Sequence, residues 1–292
     1  MPRYPQARIL LALTVICLIW GSTWLAIRIN VQVMPPLRAA GLRFIVAGLL
    51  LAVVAGRRRL PAGERPGTIY WLGLAMAMVT LPYACVYWGE QHISSGLTAV
   101  LFATYPLFVT LLAQSGQAGE RITRSLLGGL AFGLAGVALL FWDQMGMNGT
   151  QSLTGSLLIL VSAFSSAVAT VMVKRRLAHL DPFLINLRPM LYGGLILMAV
   201  SLATEGEVPW TWSMRGTVAL LYLAIFGSAV AFSIYFWLMR TLPISRLSFI
   251  VYVTPVLALL LGSLVEHEPM TWNLILGALL VLSGITMARR TG

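Results

Sequence analysis

The chain has 292 residues, 59% of them hydrophobic and only 10% charged, with a formal net charge of +11. A soluble domain carries about 25% charged residues, so this balance excludes an ordinary globular protein. The positive charge does not imply nucleic acid, because the basic residues fall in the short connections between apolar runs, where cytoplasmic loops of membrane proteins carry them.

Ten apolar segments follow one another, at about 9–27, 38–55, 69–89, 95–114, 125–142, 153–173, 182–203, 215–236, 246–264 and 272–288. Each approaches the roughly 20 residues that span a bilayer as a helix. Backbone groups in lipid must be satisfied within the segment, and a barrel strand would alternate apolar with polar residues. The expectation is an all-α integral membrane protein with ten transmembrane helices. Arg3 and Arg8 precede the first segment, but Ile9 to Ile27 is too long for a usual signal sequence and reads as the first membrane helix. Cys17 and Cys85 lie inside apolar runs and read as small packing residues.

With the N-terminus in the cytoplasm, alternating connections place 15 of the 20 basic residues inside and only Arg28, Arg38 and Arg215 outside. Arg43 and Arg188 lie within segments. This predicts that both termini are cytoplasmic.

The sequence repeats. Glu120-x2-Thr123-x5-Gly129-x6-Gly136 returns as Glu268-x2-Thr271-x5-Gly277-x6-Gly284, 148 residues later. Pro106 has a partner in Pro255, and Leu42-Arg43 in Leu187-Arg188. Five segments per repeat is an odd number, so the second half enters the membrane from the opposite side. The expected architecture is two inverted five-helix repeats, 1–146 and 147–292, forming one integrated transport domain. Such halves support alternating access around a site near the midplane. The glycine stripe of the fifth segment and its echo in the tenth predict close helix packing within one chain.

No Asp, Glu or Lys occupies the middle of a segment, and Glu90, Asp143 and Glu266 fall near segment ends. That argues against a proton-coupled antiporter of polycations or drugs. No Ser-His-Asp set, paired intramembrane Asp or His/Glu metal cluster has useful spacing, which disfavours a membrane enzyme and implies neither metal nor cofactor. The prolines are more informative: Pro82, Pro106 and Pro255 each remove a backbone N–H in mid-segment and displace the carbonyl one turn earlier. Irregular backbone at that depth is tolerated where it is buried or lines a cavity.

Aromatic and hydroxyl side chains gather at the same depth. Trp20, Tyr83, Phe102, Tyr105, Phe164, Phe232 and Tyr252 are expected as cavity walls, with Ser22, Ser166, Ser228 and Thr254 as polar contacts. Such a lining suits an amphiphilic organic solute better than a small ion. Arg43 and Arg188 read here as structural partners for a carboxylate or for helix-end carbonyls, with Glu90 and Asp181 as candidates by depth.

Trp20-Gly21-Ser22, Pro106, Pro255 and the repeated Glu-x2-Thr-x5-Gly-x6-Gly together resemble the EamA-type transporters of the drug/metabolite transporter superfamily, over essentially the whole chain. The second half departs from the pattern where Phe164-Ser165 stands for Trp-Gly. The resemblance implies export or exchange of amino acids and other metabolites at a bacterial inner membrane. In length and aromatic content the chain is similar to bacterial aromatic amino acid exporters of that group. The small multidrug relatives use a first-helix glutamate that this chain lacks. The expectation is a cofactor-free exporter of amino acids or related metabolites, functional as a monomer in the lipid bilayer. A multidrug or quaternary amine exporter of the same fold, a channel and a membrane-embedded enzyme are the rivals.

Overall fold

The structure is a computed structural model that describes residues 6–58, 66–113, 149–242, 247 and 249–289, with ten further positions between 125 and 139. The described residues are mostly helical, without strands. The helices are α1 (Gln6–Val31), α2 (Pro36–Ala55), α3 (Thr68–Gly89), α4 (Ser95–Phe102), α5 (Tyr105–Ala113), α6 (Gly149–Arg176), α7 (Pro182–Thr204), α8 (Met214–Arg240), α9 (Phe249–Glu266) and α10 (Trp272–Arg289). Among the described residues, α1, α2, α3, α6, α7 and α8 are long and apolar enough to cross a membrane. Shorter apolar helices cover Ser95–Val109, Val253–Glu266 and Trp272–Gly284. The outward faces keep large apolar side chains exposed, among them Val53, Ile69, Leu202 and Leu264, as a lipid-facing surface requires.

The helix starts follow from capping chemistry. Pro36 and Pro182 occupy first-turn positions, where a missing N–H is harmless. Asp181 accepts the Phe183 N–H at 2.9 Å, Ser213 that of Gly216 at 3.0 Å, and Thr271 Oγ1 that of Leu274 at 3.1 Å. Two caps come from elsewhere in the chain. Glu205, just past α7, accepts the Leu37 and Arg38 N–H groups that open α2, at 2.9 and 3.1 Å. Glu268 accepts Ser95 N, Ser95 Oγ and Gly96 N at the start of α4, at 2.8, 2.8 and 3.2 Å. A carboxylate there meets both the orphan N–H groups and the positive end of the helix dipole.

Helix geometry changes at or near Pro82 and Pro106, but not at Pro255. Pro106 stands one residue into α5, and a turn at Ala103 and Thr104 divides α4 from α5. In α3 the backbone widens to a π-helical turn over Met76–Thr80, just before Pro82. The corresponding part of α8, Leu223–Val230, is π-helical without a proline. Pro255 sits inside an unbroken α9. So does Pro189 inside α7, which the sequence pattern did not single out.

The main packing partners cross between the two halves of the chain. α2 packs on α7, α3 on α6, α1 on α8 and on α9, α5 on α6, and α4 on both α9 and α6. At the α2–α7 crossing a Cβ on Gly41 would lie 2.9 Å from Met198 N, and one on Gly194 would lie 2.8 Å from Ile45 N. Only glycine permits that approach. The two glycine stripes also meet. A Cβ on Gly136 would fall 2.8 Å from the Gly277 carbonyl, and one on Gly284 would fall 2.5 Å from that of Gly129. The expected packing of these stripes within one chain is therefore found. Among these main pairings, α3 with α6 has a counterpart in α8 with α1, and α1 with α9 in α6 with α4 and α5. Glu120 and Thr123 lie outside the described residues.

Candidate functional site

One cavity of about 170 Å³ opens at the middle of this packing, walled by residues of both halves. On α1 its walls are Trp20, Thr23, Trp24 and Ile27, a helical i, i+3, i+4, i+7 face. On α6 they are Ser162, Ser166, Ala169 and Thr170, the last three lying 146 positions after Trp20, Thr23 and Trp24 but with small side chains. Ser166 therefore stands where Trp20 stands in the first half. The irregular α3 contributes Met78, Pro82, Tyr83 and Val86, and α8 contributes Phe232, Tyr235 and Phe236. The break between α4 and α5 contributes Phe102, Tyr105 and Pro106, and Leu247 with Ile250 closes the remaining side.

The aromatic walls are mutually braced. Trp20 meets Phe232 edge-on with centroids 5.4 Å apart and Tyr235 at 5.2 Å, while Trp24 meets Phe102 at 5.2 Å. Phe102 stacks beside Tyr105 at 6.0 Å. Tyr105 Oη lies 2.7 Å from Thr170 Oγ1 and 3.0 Å from Tyr235 Oη, a hydroxyl cluster joining the two halves. The Trp20 indole donates weakly to the Gly227 carbonyl at 3.4 Å, a group in the π-helical stretch of α8.

Arg43 enters the cavity from α2 and is almost fully buried, at 1% exposure. Its Nε donates to Ser228 Oγ at 2.8 Å and its Nη2 to the Gly227 carbonyl at 3.4 Å. The guanidinium carbon lies 4.7 Å from the Tyr83 ring centroid and 5.0 Å from that of Phe44. Its charge also reaches the Tyr87 phenol and the Glu90 carboxyl. Arg188, expected as its equivalent, instead lies over Trp71 at 5.2 Å and is absent from the cavity wall.

Most of the sequence-predicted residues converge. Trp20, Tyr83, Phe102, Tyr105, Ser166 and Phe232 line the cavity, as do Pro82 and Pro106. Ser228 lies directly behind the wall and holds Arg43. Phe164 does not reach the cavity: it is 47% exposed and packs edge-on against Phe108 at 5.6 Å. It falls two residues from both Ser162 and Ser166, hence on the opposite face of α6. Ser22 also points away, bonding the Leu18 and Ile19 carbonyls and lying 2.6 Å from Tyr222 Oη. Thr254 and Pro255 are on α9 but not on the wall. The Tyr252 side chain lies outside the described residues. The sequence did not single out Trp24, Ser162 and Thr170, and it gave Arg43 as a partner for a carboxylate or helix-end carbonyls, whereas Arg43 both meets the Gly227 carbonyl and lines the cavity. Trp24 was signalled by its place one turn beyond Trp20, and Arg43 by a charge two turns inside an apolar segment.

In the turn after α3, Glu90 is fully buried and neither carboxylate oxygen accepts a hydrogen bond. Burial, then the nearby Glu268 carboxylate, pushes the Glu90 carboxyl well above its ordinary range, while Arg28 and Arg43 partly oppose this.

An EamA-like transporter family model matches this chain twice, over residues 7–142 and 153–290. The chain belongs to the EamA-like transporter family. The transporter is 30% identical over 284 residues to the uncharacterized transporter YoaV of Bacillus subtilis, covering 97% of both chains. It is 34% identical over 254 residues to the uncharacterized inner membrane transporter YedA of Escherichia coli K12, covering 86% of this chain and 81% of YedA. Its fold matches a crystal structure with a TM-score of 0.70 at 20% identity, covering 97% of this chain and 98% of that one. The protein is thus a multi-pass membrane transporter, and its relatives carry the names of transporters rather than of enzymes.

Proposed function

We propose that this transporter exports amino acids or closely related metabolites by alternating access. Its location would be a bacterial inner membrane, with both termini in the cytoplasm and the halves 1–146 and 147–292 as inverted five-helix repeats. The observation that carries the reading is the central cavity, aromatic on one side and small on the other, with broken or widened helices in its wall. A rigid aromatic lining with few hydroxyls accommodates an amphiphile of amino acid size, and among the described residues it offers no ring of oxygens for an ion. The main helix pairings have counterparts when the halves are exchanged, which supports the reading as two interconverting repeats.

The aromatic walls also favour a second reading, export of quaternary amines held by cation–π contact. One experiment separates the two. Purified protein in liposomes is loaded with unlabelled solute and offered labelled amino acids, aromatic amines and quaternary ammonium compounds. Trans-stimulated uptake of amino acids is the expected result. Uptake of quaternary amines alone moves the assignment to drug export, and flux without trans-stimulation makes the protein a channel. The topology is tested separately with single cysteines and impermeant maleimide, since Cys17 and Cys85 are buried and should stay silent.

A further inference from the structure

We propose that Arg43 anchors a carboxylate in the central cavity, so that the cargo is a carboxylate on an apolar or aromatic body and its amino group is dispensable. This rests on the export reading above and names its substrate class. A charge this deep in a membrane bundle is costly unless something meets it. The protein meets part of it: Nε and Nη2 are held by Ser228 and the Gly227 carbonyl, and two aromatic rings flank the group. Nη1 has no hydrogen-bond partner. These bonds leave Nη1 as a buried donor on a side chain that lines the cavity, with the Tyr83 and Tyr87 phenols interacting with the same guanidinium.

Two further wall residues have a buried polar atom without a partner, Trp24 at Nε1 and Ser162 at Oγ. Guanidinium and indole N–H groups only donate, and a serine hydroxyl can donate. The unmet demand of the cavity is therefore for an acceptor. A carboxylate supplies two oxygens to a planar guanidinium, the geometry that arginine serves better than lysine. Nothing comparable awaits an ammonium group: no Asp or Glu lies among the described wall residues. Glu90 is within the electrostatic reach of Arg43, yet its oxygens accept no hydrogen bond. Nor does the second half duplicate the anchor, since Arg188 is stacked on Trp71 away from the cavity.

The test uses the full chain in lipid nanodiscs, with binding read from the quenching of its tryptophan fluorescence. The probes are 3-phenylpropanoate, L-phenylalanine, L-phenylalaninamide and phenethylamine. The two carboxylates should bind at least about tenfold more tightly than the other two, the scale of one charge-assisted hydrogen bond. Arg43→Gln should remove that preference and leave the weak binding of the amine and amide unchanged. Equal affinities for all four probes in the wild type, or an Arg43→Gln protein that weakens all four alike, overturns the assignment. The wild-type comparison needs no variant, so it decides the question even if Arg43→Gln does not fold. Preference for phenethylamine would overturn the anchor while leaving export of organic solutes standing. Failure of all four probes to bind would overturn both the anchor and the amino acid reading.

Discussion

Replacing Glu268 by alanine removes three hydrogen bonds at once, those from Ser95 N, Ser95 Oγ and Gly96 N. Ser95 is fully buried, so water does not readily replace the carboxylate. A hydrogen bond to a charged acceptor contributes about 1.5–3 kcal/mol, but the three share one carboxylate. A helix cap lost alone costs about 0.5–2 kcal/mol. The combined loss should be near 3 kcal/mol, because the cap also joins the α9–α10 turn to α4. Glu268→Gln keeps one carbonyl acceptor and should lose about half as much. Gly262 supplies an independent check. A Cβ there would sit 2.3 Å from Glu268 Oε2, so Gly262→Ala should expel the carboxylate and reproduce the defect. Thermal and denaturant unfolding in detergent micelles measure all three variants. A loss for Glu268→Ala within about 0.5 kcal/mol, the range of ordinary surface changes, would refute the capping argument.

Three further outcomes follow from the same contacts. Ser166→Trp, which places a second indole opposite Trp20 in a cavity of about 170 Å³, should abolish transport without lowering the melting temperature. Gly194→Val adds a Cβ that meets Ile45 N at 2.8 Å and should destabilise by about 1–3 kcal/mol through overpacking, read in the same unfolding assay. Because the Glu90 carboxyl is raised above its ordinary value of 4.5, the folded state holds that proton more tightly than the unfolded chain. Its contribution is fully present below the ordinary value and is lost as pH rises through the folded value. The melting temperature should therefore fall as pH rises above the ordinary carboxylate range, and Glu90→Gln should flatten that fall. The groups acting on Glu90 are Glu268, Arg28 and Arg43, so Glu268→Gln should weaken the same pH dependence.

The apolar runs foretold the helices closely because bilayer length and internal hydrogen bonding leave little freedom: 182–203 was expected and Pro182–Thr204 is found. The duplicated motif was legible as a repeat, but its meaning needed coordinates. Glu268 caps a helix of the other half, Thr271 caps its own helix, and Gly284 admits the backbone of the facing stripe. All three are packing roles. Residues on the wall were legible where one face of a helix is aromatic, as at Trp20 and Phe102. Phe164 misled because Phe164-Ser165 was aligned with Trp20-Gly21, whereas the wall pattern pairs Trp20 with Ser166. A shift of two residues turns a helical side chain to the far side. Depth alone gave Arg43 as a partner for a carboxylate or for helix-end carbonyls; it meets the Gly227 carbonyl, and its place on the cavity wall needed coordinates.

Counterflow tests the central claim most directly. Proteoliposomes preloaded with unlabelled L-phenylalanine should take up labelled L-phenylalanine faster than empty ones, and Ser166→Trp should abolish the difference. Uptake that ignores the internal solute, or that survives a filled cavity, would contradict transport through this site.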